Sequence, residues 1–252
     1  MFIQIRSGLS NAGDFIQFTG RFFKEVLRPP YEFKEFIRQC FSIGNRSLPL
    51  VAITGFIMGL VLTIQTRPTL AAFGAESWLP GMVSLSLIRE ISPVITALIC
   101  AGKISSGIAA ELGSMKVTEQ IDAMEVSGAD PFKYLVITRV LATTFMIPLL
   151  VVFADCIGIY GGYLGMNMQS GITLFRYVAK VFEALSFSDI IPATLKTFLF
   201  GFFIGMIGSH KGYTASSGTE SVGKAATSAV VAASLIIFII DMMAVQLTSL
   251  LT

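Results

Sequence analysis

Five long apolar runs, at residues 48–66, 79–110, 140–166, 190–208 and 225–251, dominate the chain. Each reaches the roughly 20 residues that a helix needs to cross a hydrocarbon core of about 30 Å. Inside lipid a spanning segment has to satisfy its own backbone hydrogen bonds, so runs of this kind are expected as helices. Composition agrees: 54% of the 252 residues are hydrophobic and 13% charged, against roughly 45–50% and 25% in soluble domains. A water-soluble globule is disfavoured, and so is a disordered chain, which needs low hydrophobicity and high charge. The net charge of +2 supplies no polyanion-binding surface, so no nucleic-acid partner is expected.

Residues 1–20 contain Arg6 and Asp14 and lack a continuous apolar core, so no secretory signal peptide is expected. Five spans put the two ends of the chain on opposite sides of the membrane. Arg6, Arg21, Lys24, Arg28, Lys34, Arg38, Arg46, Lys103, Lys116, Lys133, Arg139, Lys211 and Lys224 fall on one side and only Arg67, Arg176 and Lys180 on the other. That asymmetry predicts an N-inside, C-outside topology.

Ahead of the first span, Phe15, Phe18, Phe22 and Val26 recur at helical spacing with Arg21, Lys24 and Arg28 between them, and Pro29-Pro30 then breaks the chain. Phe33, Phe36, Ile37, Cys40 and Phe41 repeat the pattern with Lys34 and Arg38 on the other side. Two short amphipathic helices follow from this, either lying in the inner headgroup region or packing on the protein's own spans; both arrangements need the same face. The expected fold is therefore an all-α integral membrane protein. Interfacial helices within residues 1–46 precede a five-span domain at 47–252. A weaker stripe, Leu174, Val178, Val181 and Leu185, lies between spans three and four.

Small residues mark several span faces: Gly55 and Gly59, Gly158 and Gly162, Gly161 and Gly165, Gly201 and Gly205, and Ser105 with Ala109 and Gly113. They predict close helix contact, within the chain more often than between chains. Ionisable groups at membrane depth are functional candidates by default. Arg89 and Glu90 enter span two just before Pro93, which can bend the helix. Adjacent helical positions diverge by about 100°, so the two are not expected to be buried in one direction: Arg89 reaches an anionic ligand, forms an internal ion pair or snorkels toward the interface, and Glu90 bonds a neighbouring helix. Asp155, Lys196 and Asp241 stand alone in spans three, four and five and are candidates to pair with one another.

Catalytic chemistry is poorly represented. Cys40, Cys100 and Cys156 form no redox or metal motif and are read as packing residues, while His210 has no second His or Cys near it, so no catalytic residue, metal ligand or cofactor is assigned to this chain. Gly218, Gly223 and Lys224 approximate a phosphate loop, but Ala225 replaces the metal-binding hydroxyl and apolar spans flank the segment, so 209–227 is expected as a cytoplasmic turn. Between spans two and three, an exposed amphipathic helix is expected over about 114–128. Val117, Ile121 and Met124 share one face; Glu119, Gln120, Asp122 and Glu125 occupy the others. Gly128 can end it, and Asp130-Pro131 offers an N-cap and a first-turn proline to the next helix. Such a helix is suited to dock in the groove of a soluble partner.

The stretch IREISPVITALICAGKISSGIAAELGSMKVTEQIDAMEVSGADP, from Ile88 to Pro131, closely resembles the signature region of the MlaE (YrbE) family, permease subunits of MCE-associated lipid ABC transporters. The likeness continues through the glycines of span three, His210-Lys211-Gly212-Tyr213, Gly223-Lys224-Ala225-Ala226-Thr227 and Asp241, with Lys103 and Ser92 standing where the family more often has Arg and Gly. The resemblance implies a homodimeric permease of the bacterial inner membrane, bound to cytoplasmic ABC ATPase subunits that carry the ATP and magnesium. A periplasmic MCE-domain protein caps it, a STAS-domain protein is a further candidate partner, and phospholipid is the implied substrate. It places Arg89 and Glu90, with Gln65 and Leu62, beside the lipid cavity, and Glu119, Gln120, Asp122 and Glu125 in the ATPase-coupling helix. The competing class is a secondary, ion-coupled transporter of an amphiphile, against which five spans do not divide into equal repeats.

Overall fold

The computed structural model describes residues 2–216 and 218–251, with side chains for 13–168, 171–216 and 218–250. Among the described residues every regular element is helical. Helix α1 is Phe2–Val26, α2 is Phe33–Ala72, α3 is the segmented helix Glu76–Val117, α4 is Gln120–Val126, α5 is Phe132–Met168, α6 is Leu174–Ala184, α7 is Phe187–Tyr213 and α8 is Thr219–Leu251. Helices α2, α3, α5, α7 and α8 are each long and apolar enough to cross a membrane. All five expected spans are present, each longer than its apolar run.

The chain divides into two compact units: Met1–Phe41, Ala101–Thr143 and Phe202–Ala233 form the first, and Ser42–Cys100, Thr144–Gly201 and Ser234–Thr252 the second.

In the first unit, Phe22 is buried with Phe132, Val136, Val140 and Met206, and Phe15, Phe18 and Val26 pack against the same cluster. The Arg21 guanidinium lies 4.2 Å from the centroid of the Phe132 ring, within cation–π range. The apolar stripe of α1 thus packs on the protein itself, while Ile16, Phe23 and Leu27 remain exposed. Helices α1 and α2 are separated at Pro29-Pro30, a cis peptide, as the prolines lead one to expect. The second amphipathic stretch is not a separate helix: 33–41 runs without interruption into the first span, through Pro49 and Pro68. Glu35 near its start is buried and accepts hydrogen bonds from Arg38 (2.8 Å), Gln39 (2.7 Å) and the Tyr134 hydroxyl (3.2 Å).

Glycines bring α7 close to its neighbours in this unit. A Cβ at Gly208 would stand 2.8 Å from the Ser105 carbonyl oxygen, and one at Gly212 2.7 Å from that of Ala109. Arg139, counted among the connecting residues on sequence grounds, lies inside α5, 1% exposed, and its Nη2 donates to Glu111 at 2.7 Å. His210 is likewise not in a turn. It sits in the last turns of α7, 6% exposed, with the Phe15 and Phe18 rings edge-on at 5.3 and 5.1 Å. The expected turn at 209–227 is shorter, because α7 runs to Tyr213 and α8 starts at Thr219; Ser217 lies outside the described residues.

In the second unit, α2 and α5 meet backbone to backbone. A Cβ at Gly55 would lie 2.8 Å from the Ala154 carbonyl oxygen, and one at Gly59 would overlap the Gly158 carbonyl; Gly161 and Gly165 oppose Phe56, Leu60 and Thr63 in the same way. The small-residue motifs are therefore used within the chain, where van der Waals contact between backbones replaces the missing hydrophobic force. The stripe on α6 buries Tyr177 and Val181 with Leu79, Val83 and Met166.

Candidate functional site

Span two is not a uniform α-helix. α-Helical turns over Leu79–Ser86, Ser92–Cys100 and Ser106–Val117 are joined by wider π turns at Leu87–Ile91 and Ala101–Ser105. Pro93 has no N–H to offer the carbonyl of Arg89 one turn back, and the π turn lies directly ahead of it, a location where such turns often mark functional positions. Arg89 and Glu90 are on that turn.

Both side chains line one cavity of about 270 Å3 within the second unit. The two are not both buried, each being about half exposed, and Glu90 bonds the neighbouring helix α7 as expected; on the widened turn both long side chains still reach the same space between α3, α7 and α8. The Arg89 Nε donates to Asp189 Oδ1 at 2.7 Å, and its Nη2 donates to the same oxygen. Of the alternatives for Arg89, the internal ion pair is the one formed within this chain. Asp189 Oδ2 accepts from the Ser186 amide (2.9 Å) and hydroxyl (2.8 Å), while the Asp189 amide donates back to the Ser186 carbonyl at 3.0 Å. The Asp189 carboxylate reaching back to the Ser186 amide is one half of a capping box at the start of α7, so the residue that orients the guanidinium is itself anchored by a helix end.

The second half of the site is a lysine bridge. Lys196 Nζ donates to Glu90 Oε2 at 2.7 Å and to Asp241 Oδ1 at 2.9 Å. The lysine side chain is 4% exposed, Asp241 20% and Glu90 46%. Lys196 and Asp241 do pair, as their isolation in separate spans suggested. Asp155 does not join them; it lines a second, largely apolar cavity with Pro148, Val151 and Phe182. Two cations and three carboxylates thus converge from three helices. Arg89 is half exposed, and a guanidinium held by one carboxylate is oriented for bidentate bonding to a phosphate or a second carboxylate.

Leu62 and Gln65 do not line this cavity. Leu62 packs against the Leu79, Val83 and Tyr177 cluster, and Gln65 is exposed on α2. Asp189 escaped notice in the sequence, although Ser186-x-x-Asp189 ahead of an apolar run is a capping-box signature.

The segment between spans two and three departs from the expected single helix. Helix α3 ends at Val117, Glu119 adopts a left-handed conformation (φ 58°), and α4 then covers Gln120–Val126. No Gly or Pro announces this break. Glu119, Gln120, Asp122 and Glu125 are exposed around a buried Ile121, and Lys116 Nζ donates to Asp122 at 2.7 Å. Gly128 follows at φ 81°, and Asp130 Oδ1 accepts from the amides of Phe132 (3.0 Å) and Lys133 (3.3 Å), as the turn chemistry predicts. Gly223 and Lys224 lie inside α8, where Lys224 pairs with Glu220 at 2.7 Å on an exposed face, so no phosphate loop forms. Among the described residues no group of His, Cys, Asp and Glu is placed to hold a metal ion.

Five helices of membrane-spanning length and apolarity define a multi-pass membrane protein. The chain belongs to the MlaE permease family, whose family model, Permease MlaE, matches residues 36–247. It is 39% identical to a probable ABC transporter permease protein of Rickettsia typhi, over 94% of this chain and 92% of that one. It is 32% identical to the intermembrane phospholipid transport system permease protein MlaE of Haemophilus influenzae, over 90% of each. The chloroplastic protein trigalactosyldiacylglycerol 1 of Arabidopsis thaliana is 33% identical over 88% of this chain and 64% of its own length.

Proposed function

We propose that this chain is the membrane-spanning subunit of an ATP-driven phospholipid transporter in a bacterial inner membrane, moving lipid between that membrane and the outer one. The observation that carries the reading is the cavity bordered by Arg89 and Glu90: paired charges at membrane depth, open enough to be reached and surrounded by apolar helices. A lipid phosphate brings two oxygens to a guanidinium that one carboxylate already orients, and it competes with Asp189 for the same donors. The apolar spans receive the acyl chains. Leu62 and Gln65 join the lipid path only in the company of a second copy, since they face away from this cavity within one chain.

No residue here supplies the energy. A separate ABC ATPase binds ATP and magnesium, and the exposed acids Glu119, Asp122 and Glu125, with Gln120, give it a surface to grip. The anchored break at Glu119 makes α4 a discrete lever on the end of span two. A periplasmic MCE-domain protein receives or delivers lipid on the far side, and a STAS-domain protein is a further partner on the ATPase side. The family match and the names of the Haemophilus and Rickettsia relatives support this assembly.

The test is transport of fluorescent phospholipid by the complex reconstituted with its copurifying ATPase. Arg89→Ala is expected to reduce transfer while leaving ATP hydrolysis, and Glu119→Lys to uncouple hydrolysis from transfer. Transport untouched by both changes refutes the reading, as does uptake driven by an ion gradient with no ATPase present.

A further inference from the structure

The cavity that contains Asp155 has a composition unlike that of the charged site. It measures about 460 Å3 and lies within the second unit. Its wall is built from Val151, Val152, Val181, Phe182 and Leu185, and Val152, Phe182 and Ile190 are exposed along its rim. Asp155 is in none of the ion pairs that tie the other span charges together, and its Oδ1 is buried without a partner at full hydrogen-bond geometry; the Ser92 hydroxyl beside it is a neutral donor that leaves the carboxylate's charge unpaired.

The remaining polar atoms of the wall are acceptors too. The Thr194 hydroxyl spends its proton on the Ile190 carbonyl (2.9 Å) and the Thr197 hydroxyl spends its own on the Thr194 carbonyl (2.6 Å), which leaves only lone pairs to offer. Cys156 contributes a weak donor at best. No Lys or Arg lines the space. A pocket of this kind rewards a ligand that brings donors and positive charge, because a buried acceptor left unpaired is costly and a carboxylate more so. A phosphate finds no cation here, so an aminophospholipid headgroup does not match.

We propose that this cavity binds a single-chain amphiphilic amine, its ammonium on Asp155 and its alkyl tail along the valines of α5 and α6, entering past the exposed rim of Val152 and Phe182. The site is separate from the Arg89 cavity and does not depend on the transport reading.

The experiment uses the full chain in nanodiscs of zwitterionic lipid and a dodecylamine carrying a photoreactive diazirine in its tail, with labelled peptides mapped by mass spectrometry. Labelling is expected in the peptides around Asp155 on α5 and on α6. Excess dodecylamine abolishes it, while dodecanol, dodecanoate and lysophosphatidylethanolamine do not. Asp155→Asn reduces labelling by about thirtyfold, the loss expected when a buried charge pair loses one member, and Asp155→Glu retains it. Equal competition by dodecanol, unchanged labelling in Asp155→Asn, or no labelling of these peptides overturns the assignment. If Asp155→Asn does not fold, the competition series on the unmodified chain decides alone.

Discussion

Replacing Lys196 with Met keeps most of the aliphatic stem and removes the ammonium that bridges Glu90 and Asp241. Taking one partner from a buried ion pair costs about 3–5 kcal/mol, because the other charge is stranded. Exposed pairs are worth about 0–1 kcal/mol. The two carboxylates differ in this respect: Asp241 is 20% exposed and Glu90 46%. Asp241 therefore accounts for about 3 kcal/mol of the expected loss and Glu90 for under about 1 kcal/mol. For a chain of this size, about 3 kcal/mol corresponds to a melting temperature lower by about 6–12 °C. Thermal unfolding in mild detergent, followed by helical circular dichroism, measures it. In the Lys196→Met background, Asp241→Asn is expected to recover most of the loss and Glu90→Gln little. A drop below about 2 °C, or rescue by Glu90→Gln as large as by Asp241→Asn, refutes the unequal stranding inferred from exposure.

The contact between α2 and α5 makes Gly59→Ala destabilising by about 1–3 kcal/mol, since the new methyl meets the Gly158 carbonyl. Gly107→Ala, in an open helical position, is expected to be neutral or to stabilise by about 0.5–1 kcal/mol, and the same melting assay reads both. Glu119→Gly relieves a left-handed backbone that costs a non-glycine residue about 1–2 kcal/mol, so it raises the melting temperature even while it removes an exposed charge. Burial pushes the Tyr177 phenol up to about 12, offset in part by the Thr63 hydroxyl. A phenol raised above its unfolded value contributes stability that is intact below about pH 10 and lost as pH climbs toward the folded value. An ultraviolet titration of the protein against its Tyr177→Phe variant should give a difference curve centred near pH 12; a midpoint at the ordinary value of about 10 contradicts the burial.

The spans were legible because hydropathy over twenty residues is a sum, insensitive to any one position. The glycine faces were legible for a related reason: in lipid, small residues at a spacing of four have few uses besides close packing. Partner choice was another matter. Arg89 meets a carboxylate 100 positions away, and Lys196 meets residues 106 and 45 positions away. Spacing along the chain holds no information about such pairs, so the sequence could nominate Lys196 and Asp241 yet could not place Glu90 between Lys196 and the solvent. The unread capping pattern Ser186-x-x-Asp189 could have marked a helix start but not the guanidinium that shares its carboxylate. The break at Glu119 was invisible because Glu carries no preference for the left-handed region. The continuation of the second amphipathic stretch into the first span was hidden by Pro49, which membrane helices tolerate when neighbours satisfy the freed carbonyl.

The π turn at Leu87–Ile91 has a further consequence for how this helix can vary. A π turn is an α turn that has absorbed one additional residue, and the bulge is local. The flanking segments keep their own phase, Leu79–Ser86 against Leu174–Ala184 on one side and Ser92–Cys100 on the other. Deleting a single residue there returns the stretch to ordinary α geometry without rotating either flank. The charged cluster and the helix packing are thereby placed on separable stretches of one span, and a lineage can lose or regain the juxtaposition of Arg89 and Glu90 by a one-codon insertion or deletion while the flanking helices stay in register.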